Sequence, residues 1–311
     1  MKRLTRYAQS FMLTVGLLLS LLASHAAIAA VDQSDVISAI KSPAISQASN
    51  NQATDNNTLD NQILALHDNW NTLLSRHVKP INQGHSSAVD YAAIQQDRTI
   101  LTDYLNQLSL ITQAEFDAWD KASQLAFLIN AYNAWTVELI LTKYPDLDSI
   151  KDLGGFFSSP WDKSFIPLLG KTRSLNDIEH KLIRGSDRYN DPRIHFAVNC
   201  ASIGCPALRE EAYTGAKLEL QLTEQTERFL ADSSRNYAKG DSLYLSSIFK
   251  WYGDDFAKGF RNTHSIEAFL LLYSNSNKGV LTLTPAQRQA AEKQQLDIEF
   301  LDYDWSLNVA G

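Results

Sequence analysis

Residues 124–144 constrain the fold most, because this segment is apolar on nearly every side of a helix. Asn130, Asn133 and Glu138 interrupt it and Pro145 follows it, so it is too short and too polar for a membrane span. A helix that is hydrophobic on all faces lies inside a large core. We therefore expect a central buried helix, built from Leu125, Ala126, Phe127, Leu128, Ile129, Trp135, Val137, Leu139, Ile140 and Leu141.

The sequence before this segment also predicts helices. Apolar residues recur at helical spacing from Ile63 to Leu74 and again from Tyr91 to Leu108. Thr112 with Glu115 three residues later is typical of a capping box at a helix start.

The sequence after residue 145 mixes short strands and helices. A hairpin is expected over 165–174, with Gly170 and Lys171 in its turn, and further strands over 194–199, 242–245 and 298–307. Helices are expected over 177–184, 217–230 and 265–273. Without regular alternation of strand and helix, this pattern favours an α+β fold: a helix-rich first half with a central buried helix, and short, mostly antiparallel strands in the second half of a single domain.

Residues 1–29 are typical of a secretory signal peptide. Lys2, Arg3 and Arg6 precede an apolar run from Phe11 to Ala23, and Ala27-Ile28-Ala29 is a cleavage site of the A-x-A type. The run is shorter than the roughly 20 residues that a membrane-spanning helix needs. We therefore expect a periplasmic or secreted protein with no stable membrane insertion after the signal is cleaved.

Residues 30–58 are predicted to be a flexible polar leader, because they lack aromatic residues and are rich in Ser, Asn, Gln, Asp and Ala. A single globular domain is expected over 59–311.

Without the three basic residues of the signal, the chain has 25 of its 28 Lys and Arg, against 35 Asp and Glu. This acidic balance, with no basic cluster, argues against nucleic acid as a partner.

Both cysteines lie in one segment that also contains a histidine, residues 193–206. In one interpretation, Cys200 and Cys205 form a disulfide, because the expected compartment is oxidising and the chain has two cysteines. In a second, Cys200 is a catalytic nucleophile with His195 as its base and Asn199 beside it, or with His180 as the alternative base. If residues 194–199 form a strand, however, His195 and Cys200 point to opposite faces.

A third interpretation, zinc binding by His195, Cys200 and Cys205, lacks the second close pair of ligands that structural zinc sites usually have. We therefore expect no metal, and no motif predicts a cofactor.

Asn130 and Asn133 share one side of the central helix, where they either face a ligand or bond neighbouring loop backbone as buried amides. The candidate ligand-binding residues are Asn130, Tyr132, Asn133, Arg193, Ser202, Lys250, Trp251 and Asp304.

Five segments together resemble the family called domain of unknown function 547: FLINAYNA (127–134), IEH (178–180), RIHFAVNCASIGCP (193–206), LSSIF (245–249) and YDWSLN (303–308). They occur in the family's order and extend the resemblance over most of residues 59–308. The resemblance implies a bacterial member of a family that plants also have, without an assigned activity. Since both cysteines and His195 fall within the matching motifs, it favours a functional site at this loop.

Two function classes follow from these residues. One is a thiol-dependent hydrolase of an amide or ester, with a polar pocket around Cys200 and His195 and an oxyanion held by Asn199 or backbone N–H groups. The other is a non-catalytic binding or assembly domain whose disulfide shapes a recognition loop. In both cases the expected partner is a small molecule or a peptide, and the sequence does not predict the oligomeric state.

Overall fold

The computed structural model describes residues 60–155, 158–274 and 280–311. The predicted signal peptide and the whole predicted leader lie outside these residues. Residues 60–66 are helical. They are followed by a helical first half with one antiparallel hairpin, whose elements are α1 (Asp68–His77), β1 (Val78–Ile81), β2 (Ser86–Val89), α2 (Tyr91–Gln96), α3 (Arg98–Leu110), α4 (Gln113–Ala118) and α5 (Lys121–Leu141).

Helix α5 is the predicted central helix. Its whole length is buried except at Lys121, Ala122 and Glu138. Asp120 caps its start by accepting hydrogen bonds from the backbone N–H groups of Ala122 and Ser123. Helix α4 begins at the predicted capping box, in which Thr112 and Glu115 bond each other's backbone N–H groups.

The second half contains short strands and helices, as predicted. Its strands are β3 (Ile166–Leu168), β4 (Lys171–Arg173), β5 (Asn236–Lys239), β6 (Ser242–Ser246) and β7 (Asp297–Leu301). Its helices are α6 (Leu218–Leu230), α7 (Ser247–Trp251), α8 (Gly253–Phe256), α9 (Ile266–Tyr273) and α10 (Pro285–Glu292). Strands β3 and β4 form the predicted hairpin, and the sheet β5–β6–β7 joins one antiparallel pair to one parallel pair. The α+β prediction is confirmed.

Short helical turns connect these elements and carry much of the site described below. They are Asn82–Gly84, Ile150–Leu153, Pro160–Asp162, Asp177–Ile183, Arg184–Ser186, Pro192–Phe196, Gly215–Lys217 and Phe260–Asn262. Asp177–Ile183 is wound as a π-helix and the others as 3₁₀-helices.

The strand predicted over 194–199 is wrong. Pro192–Phe196 forms a 3₁₀ turn, because Asp191 caps it by accepting the Arg193 N–H and Pro192 fixes a helical φ at its first position. This local capping outweighs the strand preference of the apolar residues that follow. The late strand is shorter than predicted: β7 ends at Leu301, not at 307.

Apolar side chains of the described residues form two buried clusters. The larger surrounds α5 and takes in the first-half helices and the β3–β4 hairpin. The smaller is rich in phenylalanine and includes Phe196, Phe229, Phe249, Phe256 and Phe269. Among the described residues, no helix is long and apolar enough to cross a membrane.

Candidate functional site

A cavity of about 250 Å³ lies where α5, the turn Asp177–Ile183, the cysteine segment, α7 and the C-terminal segment meet. It is lined by Tyr132, Trp161, Asn176, Glu179, His180, His195, Val198, Cys200, Cys205, Pro206, Ile248, Trp251, Tyr252, Tyr303 and Trp305. Ligand sites in proteins are commonly apolar cavities of this kind, with a few polar groups that converge in them.

One wall of the cavity is aromatic. The ring of Tyr303 lies 4.5 Å from Trp305 and 4.8 Å from Trp251, centroid to centroid, and Trp161 lies 5.7 Å from Trp305. The ammonium of Lys151 lies 3.8 Å from the centroid of the Trp305 ring. The wall therefore already holds one cation against an aromatic ring.

Glu179 is the acid of the cavity, and only 5% of its surface is exposed. Its partners are phenols: Tyr132 and Tyr252 both interact with its carboxylate. Burial, together with the charge of Glu179, raises the pKa of Tyr132 and Tyr252 above the usual value, so both hydroxyls keep their protons and can donate.

No lysine or arginine of the described residues forms a salt bridge with Glu179. Nδ1 of His180 lies 3.9 Å from a carboxylate oxygen of Glu179. Nδ1 of His180 also lies 2.8 Å from Nη1 of Arg184. Since a guanidinium can only donate, this nitrogen accepts in that contact. Arg184 feels the charge of Glu179, but its hydrogen bonds go to His180 and Asp255.

His195 also lines the cavity and is oriented by Asp255. Its Nε2 lies 2.8 Å from the Asp255 carboxylate, and its ring stacks on Tyr252 at 3.9 Å. Burial lowers the pKa of His195, although Asp255 and Glu179 oppose this effect. The ring is therefore neutral with its proton on Nε2, and its buried Nδ1, a free acceptor, has no hydrogen-bond partner in the described residues.

Asp255 is surrounded by donors. Besides His195, it accepts hydrogen bonds from Arg184 Nε at 2.5 Å and from Lys258 Nζ at 2.7 Å. Burial alone would raise the pKa of Asp255, but these three donors hold it well below its usual range. Asp255 is thus a charged, fully compensated group.

The cysteine loop forms the third wall. Cys200 and Cys205 are joined as a disulfide. Backbone hydrogen bonds tie the loop to the C-terminal segment, from Ile203 N to Ser306 O and from Gly204 N to Asp304 O, both at 2.8 Å. Gly204 permits this approach, because a Cβ there would lie 2.8 Å from the Tyr303 ring.

Several predicted site residues line the cavity. They are Tyr132, His180, His195, Cys200, Cys205 and Trp251. The predicted strand would have placed His195 and Cys200 on opposite faces, and the 3₁₀ turn instead brings both to the cavity wall. Cys200 Sγ contacts the hydroxyls of Ser202 and Tyr303, each at 3.2 Å, and in the described residues it has no hydrogen bond to a histidine. A nucleophilic Cys200 stays a prediction.

The three predicted asparagines do not line the cavity. Asn130 bonds the backbone N–H and C=O of Tyr213, and Asn133 bonds Ala197 O and Asn199 N. The side chain of Asn199 bonds Ala201 N and Pro206 O. These amides are used as the structural interpretation expects, to hold loop backbone around the central helix.

The other four candidates also lie outside the cavity lining. Arg193 is buried in an ion network with Asp191 and Glu219. Ser202 donates to the Tyr303 hydroxyl, and Asp304 accepts from the backbone of Ser306. Lys250 is exposed.

Sequence reasoning missed Glu179, Arg184, Tyr252 and Asp255 as site residues. Glu179 lies inside a segment that carries the family resemblance, and this was the signal available. Tyr252 and Asp255 lie in the aromatic and acidic run after Lys250. The pattern of this run suits core packing as well as it suits the rim of a pocket. No group of three or more His, Cys, Asp or Glu is placed to hold a metal ion within the described parts of the chain.

Part of the chain matches the model of one protein family. Residues 116–230 match the family model described as "Protein of unknown function, DUF547". The match covers α5, Glu179, His180, His195 and both cysteines, while Trp251, Tyr252, Asp255 and the C-terminal segment lie beyond it. No curated protein and no solved structure matches the chain. Over residues 116–230, the chain is therefore similar to the family of unknown function 547.

Proposed function

We propose that this chain is an exported binding protein whose aromatic cavity captures a small amine as its ammonium cation. One observation carries the proposal: Glu179 is a buried carboxylate in an aromatic cavity, its side chain hydrogen-bonds the phenols of Tyr132 and Tyr252, and no lysine or arginine of the described residues forms a salt bridge with it. A buried charge without a partner of opposite charge is costly, so a cationic ligand is the natural complement of this site.

The other groups of the cavity suit the same ligand. An ammonium has three N–H donors, and the Glu179 carboxylate at the cavity can accept from it. The faces of Trp251, Trp305 and Tyr252 can attract the positive charge and cover the apolar part of the ligand. The compensated Asp255 does not compete for the cation, because Arg184, Lys258 and His195 already bond it.

The test uses matched ligands that differ in charge, 2-phenylethylamine and 2-phenylethanol. Binding is measured by calorimetry and by the fluorescence of the cavity tryptophans. We expect the amine to bind at least about tenfold more tightly than the alcohol, a difference of about 1.4 kcal/mol. Glu179→Gln removes this preference, whereas Glu292→Gln, the same change at an exposed position outside the cavity, keeps it.

Equal binding of amine and alcohol, or an amine preference that survives in Glu179→Gln, would reject the proposal. So would the failure of every amine in a series from methylamine to 2-phenylethylamine.

A second candidate is a thiol-dependent hydrolase in which the thiolate of Cys200 attacks an amide or ester and His195 is the base. It is favoured by the fact that both residues line one cavity, and by Asp255, which orients His195 as an acid orients the base in such enzymes. It requires reduced Cys200. Turnover of p-nitrophenyl acetate by the reduced chain, lost in both Cys200→Ser and His195→Gln, would support it. A reduced chain without turnover would reject it.

Export is proposed on the pattern of residues 1–29. The mature protein is then expected to begin at Ala30, after cleavage at the A-x-A site. N-terminal sequencing of protein recovered from the periplasm tests this. A chain that keeps Lys2, Arg3 and Arg6 in that fraction would contradict cleavage.

A further inference from the structure

We infer that the Cys200–Cys205 disulfide is a thiol–disulfide exchange site, which a small monothiol entering the cavity attacks at Cys200. This activity goes beyond amine binding, because it requires neither Glu179 nor a bound cation. It rests on the position of the disulfide, on the donors around its two sulfurs and on the anchoring of its loop.

The disulfide is accessible from the cavity. Both cysteines line the cavity, so a small molecule in the cavity can reach the disulfide. The two residues differ in burial, since Cys205 is only 4% exposed and Cys200 is partly exposed. The sulfur of Cys200 is therefore the easier one to attack, and Cys205 becomes the leaving group.

The protein also stabilises that leaving group. The sulfur of Cys205 accepts a hydrogen bond from the backbone N–H of Cys200 at 2.8 Å and from the Tyr303 hydroxyl at 3.2 Å. Ser202 in turn donates to the Tyr303 oxygen at 3.1 Å. Hydrogen bonds to a thiolate favour its charged form, and a leaving thiol of lower pKa departs faster. The Tyr303 hydroxyl also lies 3.2 Å from Cys200 Sγ, so it is the backbone N–H of Cys200, bonded to the Cys205 sulfur, that favours Cys205 as the leaving sulfur.

The anchored loop favours the return to the disulfide. The loop between the cysteines is fixed by backbone bonds from Ile203 to Ser306, from Gly204 to Asp304 and from Asn308 to Ala201. These bonds do not depend on the disulfide. They hold the Cα atoms of Cys200 and Cys205 near their separation of 6.1 Å when the disulfide opens, so that Cys205 stays poised to attack a mixed disulfide on Cys200.

The exchange balances as follows. The thiolate RS⁻ forms a bond to Cys200 Sγ, the Sγ–Sγ bond breaks, and its electron pair leaves with Cys205 as a thiolate. A second RS⁻ attacks the outer sulfur of the mixed disulfide and releases RSSR and the Cys200 thiolate. Two small thiols are oxidised by two electrons in total, and the protein disulfide is reduced to two thiols that take protons from water.

Mass spectrometry locates the attack without any mutation. The native, oxidised chain is treated with a limiting amount of 2-mercaptoethanol, quenched with iodoacetamide and digested. We expect 2-mercaptoethanol on Cys200 and the alkyl group on Cys205. The reverse labelling would overturn the inference. So would a disulfide that reacts only after urea has unfolded the chain, because the pair would then be a structural link.

A pair of matched variants tests the leaving-group argument. Tyr303→Phe removes a donor to Cys205, and the exchange rate of the folded variant is expected to fall roughly three- to tenfold. Tyr237→Phe makes the same change in β5, outside the cavity, and is expected to leave the rate unchanged. Circular dichroism shows whether each variant is folded. An unchanged rate in a folded Tyr303→Phe would overturn the role assigned to Tyr303.

Discussion

Two buried ionisable groups, His67 in the first half of the described chain and Asp255 in the second, are accommodated in opposite ways. In the first half, His67 has one neutral partner, the Tyr104 hydroxyl 2.8 Å from its Nδ1, and burial lowers its pKa to about 4. In the second half, Asp255 is surrounded by His195, Arg184 and Lys258 and remains charged. The first half keeps a buried group neutral, and the second half compensates a charge with other charges.

Glu179 resembles neither His67, which is kept neutral, nor Asp255, whose charge is compensated by neighbouring donors. It is buried like His67 but belongs to the acids, and although it feels the charge of Arg184, no lysine or arginine of the described residues forms a salt bridge with it. Glu179 lines the aromatic cavity, whereas His67 and Asp255 line other pockets. A group that departs from both patterns beside empty space is best explained by a ligand that completes it. Four measurements can break or sharpen this contrast.

The largest effect is expected at Asp255. Asp255→Asn leaves Arg184 and Lys258 without their carboxylate, and removing one member of a buried ion pair costs roughly 3–5 kcal/mol. Urea unfolding measures the loss. Asp254→Asn is the control, because Asp254 is exposed and its substitution should change stability by less than about 0.5 kcal/mol. Equal stability of the two variants would show that the Asp255 network does not hold the second half together.

The next largest effect is a pH dependence from His67. Because its pKa is lowered to about 4 in the folded chain, the folded state binds this proton less readily than the unfolded state does. The contribution of neutral His67 to the free energy of unfolding is therefore complete above pH 6.5. It is lost as the pH falls from 6.5 to 4, by about 3 kcal/mol in total. His67→Gln should remove that part of the loss when unfolding is measured across the window.

His264→Gln is the control for this measurement, since His264 is exposed. It should leave the acid destabilisation as it is in the unmodified chain. If His67→Gln also leaves it unchanged, His67 is not the group through which the first half senses acid.

These elements were predictable from the sequence to different degrees. Helix α5 and the capping box at Thr112 depend on residues close in the chain, and both were predicted. The strand at 194 was predicted wrongly for an equally local reason, because the apolar pattern was weighed above the cap formed by Asp191 and Pro192.

The acidic part of the site could not be predicted in this way. Asp255 lies 60 residues from His195, and its partnership with His195 and Arg184 exists only in the folded chain. The same holds for Glu179, which meets Tyr132 of α5 and Tyr252 of the loop after α7. The sequence predicted a site near His195 and Cys200 but could not show which acid faces the cavity and which is compensated.

A smaller effect on stability is expected at Glu179. Glu179→Gln removes a buried charge that has no cationic partner, so the penalty for taking that charge out of water disappears. We expect the stability at pH 7 to change by no more than about 1 kcal/mol and in the stabilising direction. Urea unfolding beside Asp255→Asn makes the contrast direct. A loss as large as that at Asp255 would mean that Glu179 is a structural acid, and the reason for a cationic ligand would disappear.

The smallest effect joins the acid to the disulfide. If Glu179 attracts ammonium groups into the cavity, cysteamine should open the Cys200–Cys205 disulfide faster than 2-mercaptoethanol, beyond the difference in their intrinsic reactivity. Comparing the ratio of the two rates in the unmodified chain with that in Glu179→Gln cancels the intrinsic term. We expect this ratio to fall about threefold in Glu179→Gln, an effect of roughly 0.7 kcal/mol. The rates are measured by thiol release under native conditions. An unchanged ratio with rapid exchange by both thiols would separate the two proposals: the disulfide would still be an exchange site, but Glu179 would not be the group that draws amines to it.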